Sequence, residues 1–123
     1  METKEATTTL YRPVSEKELE LIKASGYKRF PPRLPEQPIF YPVTNEAYAV
    51  QISKQWNVPA YGAGFVTKFA VKSEFLQRYP VQNVGGVIHD ELWVPAEELD
   101  EFNDNIVGLI EVTHEFYAEN NPS

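Results

Sequence analysis

From Phe65 to Lys72 the chain alternates in side-chain character with a period of two, the pattern of a strand with two distinct faces. Phe65, Thr67, Phe69 and Val71 fall on one face, and Val66, Lys68, Ala70 and Lys72 on the other. A second segment has helical spacing. Ser15 followed by Glu18 reads as a capping box opening a helix over Glu16–Ser25, with Leu19, Ile22 and Lys23 sharing a face and Gly26 as a left-handed stop. Thr44 or Asn45 caps another helix, Glu46–Trp56, in which Ala49, Ile52 and Trp56 recur at helical intervals.

Shorter elements fill the remainder. Strands are expected over Thr8–Arg12, where Pro13 removes the next backbone donor, and over Ile39–Val43, Val81–Val84 and Glu91–Val94. Between the first helix and the second strand, Tyr27–Pro38 contains four prolines and reads as an extended loop ordered by packing. Gly62 and Gly64 bracket a turn, and Gly85-Gly86 makes another. Ser73 caps a single turn carrying Phe75 and Leu76, and a brief helix, Ala96–Asn103, follows Pro95. Ile106–Val112 closes the chain as a strand that can run on to Phe116. Short strands mixed with short helices describe one α+β domain over 8–116, with 1–7 and 117–123 as frayed tails.

Composition narrows the function classes. The 123 residues carry 18 acids against 11 Lys plus Arg, a net charge of −7, which argues against a nucleic-acid partner. With no cysteine, disulfides and thiolate chemistry are excluded. Two histidines, His89 and His114, are too few and too far apart to suggest zinc. The first nine residues lack the apolar core of a signal peptide, and no apolar run approaches the roughly 20 residues that span a bilayer, so a cytosolic location is expected. The oligomeric state is left open.

The candidate chemistry centres on His89-Asp90-Glu91-Leu92-Trp93-Val94-Pro95. In a strand, His89 and Glu91 project side by side while Leu92 and Val94 turn the other way. A fixed carboxylate accepts sugar hydroxyls and stabilises the positive charge of a breaking glycosidic bond; an imidazole can donate to the same ligand. The plainer alternative is a solvated dyad at a strand entrance. Arg12, at the end of the first strand, has the planar fork that binds phosphate, and Arg33 and Arg29 in the proline-rich loop could add to it or be solubilising charge. Tyr41 and Tyr48 could stack on a flat ring. Trp56 and Trp93 are assigned to the core, Glu97, Glu98, Asp100 and Glu101 to one solvated helix face, and His114 to no role.

The blocks LYRPV, FPPRLPEQPIFYPVTNEAYA and HDELWVPAEELDEFN resemble a family of small bacterial proteins labelled "ADP-ribosylation/crystallin J1", over roughly Thr8 to Val112. The crystallin J1 half of that label does not fit, because ADP-ribosylglycohydrolases are larger, all-helical and metal-dependent. The order of features also looks like the ADP-ribosyltransferase fold. The resemblance implies two small, mostly antiparallel sheets and three or four short helices around a cleft that binds NAD as substrate. It implies Arg12 on the diphosphate, Tyr41 beside nicotinamide or ribose, and Glu91 as the catalytic Glu opening ELWVP; to these the residue types add Arg33 as a further phosphate contact and Tyr48 as Tyr41's partner in flanking the ring. His89 would position the ribose or the nucleophile, and Val84–Ile88 would stand where the substrate-recognition loop lies. Two departures stand out: FYPVTNE lacks the usual Ser-Thr pair, and His89 replaces the usual Glu or Gln two positions before the catalytic Glu. The implied activity is transfer of ADP-ribose to a protein acceptor, or hydrolysis of NAD. The alternative is an inactive nucleotide-binding or protein-interaction module, an immunity or accessory protein on the same fold.

Overall fold

The computed structural model describes residues 6–85 and 89–118. The fold is α+β, built on a three-stranded antiparallel sheet in the order β1 (Thr7–Val14), β3 (Ala63–Lys72), β7 (Ile106–Tyr117). The alternation read between Phe65 and Lys72 sets the layering. Phe65, Phe69 and Val71 join Leu10, Val14 and Ile110 in the main core, and Thr67 on the same face is also buried. Val66 points the other way, into a smaller cluster with Val43 and Ala49.

The first helix, α1 (Glu16–Ala24), lays Leu19 and Ile22 on the main core while Lys23 stays exposed. Its cap is half of the box expected: the Glu18 N–H donates to Ser15 Oγ at 3.2 Å, but the Glu18 carboxylate turns away to Arg12. The proline-rich loop is ordered by burial of Phe30, whose ring meets Phe40 at 5.1 Å and Phe69 at 4.8 Å in tilted and edge-on geometry. Asn103, on α5 (Leu99–Asp104), clamps that loop. Its Oδ1 accepts from the Phe30 N–H at 2.9 Å and its Nδ2 donates to the Phe30 carbonyl at 3.0 Å. This side-chain bridge does what a neighbouring strand would do for an isolated backbone segment.

The expected strands Ile39–Val43 and Glu91–Val94 turn out to be partners. Residues β2 (Ile39–Phe40) and β6 (Val94–Pro95) pair antiparallel, Val43 bridges Glu91, Thr44 donates to the Asp90 carbonyl and Leu92 to that of Pro42. The register is continuous, so Tyr41 falls opposite Trp93. Regular pairing lapses there because Pro42 has no N–H to give. Asp90–Glu91, β5, pairs on its other edge with β4 (Gln82–Asn83). Val43 also exchanges both backbone hydrogen bonds with Tyr11, which attaches this region to the free edge of β1.

Several sequence expectations are corrected. Pro13 does not end β1, which runs to Val14; its missing N–H lies on the edge facing away from β3, where no ladder bond is lost. The helix expected over Glu46–Trp56 is α2 (Glu46–Ile52), capped by Asn45, followed by a π-helical turn, Ser53–Asn57, and α3 (Val58–Tyr61). The wider turn rotates Trp56 out of the core face, leaving it 70% exposed. It is accommodated by Gly64, where a Cβ would sit 2.3 Å from Ser53 Oγ. Ala96–Glu98 is a 3-10 turn before α5, and α4 covers Ser73–Leu76. Strand Val81–Val84 shrinks to Gln82–Asn83 with both valines exposed. Thr7 and Tyr117, assigned to the tails, are the outer residues of β1 and β7. Gly86 and most of the expected recognition loop Val84–Ile88 lie outside the described residues. Among the described residues no helix is long and apolar enough to cross a membrane.

Replacing Asn103 by Ala leaves the buried N–H and carbonyl of Phe30 without partners, and the expected loss is about 2–4 kcal/mol. Urea unfolding reads this as a lower midpoint at unchanged slope. A loss below about 1 kcal/mol would show that the loop is held by its phenylalanine alone.

Candidate functional site

The pairing of 39–44 with 90–95 alternates its side chains between core and cleft. Phe40, Leu92 and Val94 go inward and are at most 3% exposed. Tyr41, Val43, Glu91 and Trp93 go outward and line a cleft of about 550 Å³, with Arg12, Glu18, Arg33, Asn57 and Tyr61 on its other walls. The residues that sequence placed far apart are thus neighbours through Val43, which touches β1 on one side and Glu91 on the other.

Glu91 is held by two neutral donors. The Tyr48 hydroxyl donates to Oε2 at 3.1 Å and the Trp93 indole N–H donates to Oε1 at 2.7 Å. Among the described residues it has no ion-pair partner, so its orientation is fixed while its negative charge is left uncompensated. The Tyr48 phenol is pushed above its ordinary value by burial first, and then by the charge of Glu91 and the hydrogen bond to it. At neutral pH it is therefore a firm donor. His89 stacks on the back of Tyr48 with ring centroids 4.5 Å apart, and its Nε2 is 2.8 Å from Gln51 Oε1. His89 and Tyr48 thus form a supporting layer behind Glu91, whereas Tyr41 and Arg33 are on the cleft wall itself.

The two arginines are in different states. Arg12 is only 7% exposed, stacks over the Phe40 ring at 4.6 Å and makes a fork to Glu18, with Nε at 2.7 Å and Nη2 at 3.0 Å. Its charge is already matched. Arg33 has a buried Nε with no hydrogen-bond partner. Its pKa is lowered by burial and then by the charge of Arg12, an effect opposed by Glu18. The Arg33 Nε is thus a buried N–H left unsatisfied on a residue that lines the cleft. Arg29 is elsewhere, paired with Asp104 at 2.7 Å.

Trp93 corrects the sequence reading. Its ring is 44% exposed at the cleft rather than in the core, because the pairing that buries Leu92 and Val94 necessarily turns position 93 outward. The same alternation was available in ELWVP. Glu18 was read as a cap, and nothing in the sequence announced its fork to Arg12. Asn57 and Tyr61 reach the cleft through the π-helical turn, which no hydrophobic period reveals. Among the described residues there is no group of three or more His, Asp or Glu able to hold a metal ion. Compared with known proteins, the chain matches no protein-family model and no curated sequence.

Because the Tyr48 pKa is raised on folding, the fold gains stability below the free phenol value of 10.0, and that gain is lost as pH rises through the folded-state pKa. Subtracting the ultraviolet phenolate titration of Tyr48→Phe from that of the parent isolates this one group. Its midpoint is expected above 10.0 and should fall towards it in Glu91→Gln, which removes the carboxylate charge. An unmoved midpoint would mean that Tyr48 and Glu91 are not in contact in solution.

Proposed function

We propose that this chain is an ADP-ribosyltransferase-like domain that binds NAD in the cleft and transfers its ADP-ribose to water or a protein acceptor. The observation that carries the reading is the state of Glu91, a carboxylate aimed by Tyr48 and Trp93, with no ion-pair partner among the described residues, facing a cleft that also holds two guanidinium groups. Fixed, uncompensated negative charge is what a developing oxocarbenium ion requires.

In this reading the bond between ribose C1′ and the nicotinamide nitrogen breaks, and its electron pair leaves with neutral nicotinamide. Positive charge spreads over C1′ and the ring oxygen, where Glu91 stabilises it. A carboxylate has about four acceptor positions, so with two occupied Glu91 can still receive the ribose 2′-hydroxyl. The nucleophile then bonds to C1′ and passes its proton to solvent water. Arg33 supplies an N–H to the diphosphate, and Tyr41 and Trp93 offer flat faces to the nicotinamide ring. His89 acts through Tyr48 rather than on the sugar.

One observation favours a second reading, an inactive nucleotide-binding module. Arg12, expected on the diphosphate, is taken up by Glu18. A protein that bound NAD or ADP-ribose, quenching Trp93 fluorescence, without releasing nicotinamide would fit the module.

For the enzyme, Glu91→Gln is expected to lower nicotinamide release by about a hundredfold, comparable to removing an oxyanion donor, while the far-ultraviolet spectrum stays unchanged. Cleavage at the parental rate in a folded Glu91→Gln protein would refute the mechanism.

A further inference from the structure

We propose that Arg12, Arg33 and the amino end of α1 form a diphosphate site that Glu18 keeps closed by filling it with its own carboxylate. The inference deepens the nucleotide reading and rests on it only for the natural source of the diphosphate.

Three features of the structure lead there. First, the cleft contains two guanidinium groups and two carboxylates, and of the carboxylates only Glu18 pairs with an arginine, Glu91 being held by Tyr48 and Trp93. Glu18 satisfies Arg12 through Nε and Nη2, while Arg33 Nε is buried without an acceptor. One carboxylate cannot serve both forks; a diphosphate, with two charged ends, can. The charges of Arg12 and Glu18 both act on Arg33, in opposite directions, so the three groups share one electrostatic neighbourhood.

Second, Glu18 has somewhere to go. A neighbouring groove of about 660 Å³ runs between α1 and the proline-rich loop, lined by Leu21, Pro31 and Leu34. Glu18 and Arg33 line both cavities. The carboxylate can therefore swing out of the cleft by side-chain rotation, with the backbone of α1 in place.

Third, Ser15 at the N-cap also lines both cavities, so the positive end of a nine-residue helix opens beside the two guanidinium groups. That end favours an anion whether Glu18 or a phosphate supplies it. The lock is thus an exchange of one anion for another. A ligand that binds only the open state has its affinity reduced by the fraction of molecules that are open.

Calorimetric titration of the full chain with inorganic pyrophosphate tests this. Glu18→Gln is expected to bind at least tenfold more tightly than the parent, with Glu18→Asp in between because its shorter side chain cannot complete the fork. Adding Arg33→Gln to either variant should weaken binding at least tenfold, whereas adding Arg78→Gln, whose side chain pairs with Glu101, should not. Orthophosphate should bind more weakly than pyrophosphate in every variant. Equal affinity in the parent, Glu18→Asp and Glu18→Gln would overturn the lock, and indifference to Arg33→Gln would overturn the site. If Glu18→Gln fails to fold with Arg12 left uncompensated, Glu18→Asp with and without Arg33→Gln decides the matter. The probe contains no nucleotide, so these outcomes stand apart from any result on NAD cleavage.

Discussion

Val43 is the residue through which this molecule holds together as a site. Its backbone exchanges two hydrogen bonds with Tyr11 on β1, and its other edge bridges Glu91. Remove that double attachment and the segments 39–44 and 90–95 are a loose two-stranded ribbon, which has marginal stability alone. With it they become an extension of the central sheet. The register then dictates the rest: a slip of one position would send Phe40, Leu92 and Val94 to solvent and bury Tyr41, Glu91 and Trp93. The same choice that fills the core presents the cleft.

The cleft separates two ways of treating charge. Glu91 is aimed by an indole and a phenol, donors that orient it without cancelling it. Arg12 is aimed by a carboxylate, which orients and cancels at once. Arg33 has neither. A partly enclosed ion pair such as Arg12–Glu18 contributes little net stability after desolvation, but losing one partner is costly. Such a pair is a poor source of folding energy and a good reason for a second anion to be recognised only if it replaces the first.

Much of the architecture was legible because it rests on periodicity. The faces of Phe65–Lys72, the cap at Ser15 and the buried pair Leu19 and Ile22 follow from local pattern alone. The position of Glu91 at the cleft also follows from local pattern, since it alternates with the buried Leu92. What the sequence hid was non-local. Trp93 was placed in the core because tryptophan is usually buried, although its position between Leu92 and Val94 already turned it outward. The break after Ile52 depends on how closely the turn approaches β3, and Glu18 meets Arg12 only because α1 folds back on β1. A cap residue and a loop arginine look the same in sequence whether or not they meet at a cleft.

The contact between Gly64 and Ser53 has a wider meaning. Since a Cβ at position 64 would meet Ser53 Oγ at 2.3 Å and both Asn57 Cβ and the Ser53 carbonyl at 3.0 Å, one wall of the cleft is located by how closely the main chain of β3 approaches the π-helical turn. Asn57 and Tyr61 reach the cleft from that wall. A side chain at position 64 would press on Ser53 and on Asn57 together, and so would move that wall of the cleft at the point where it is attached.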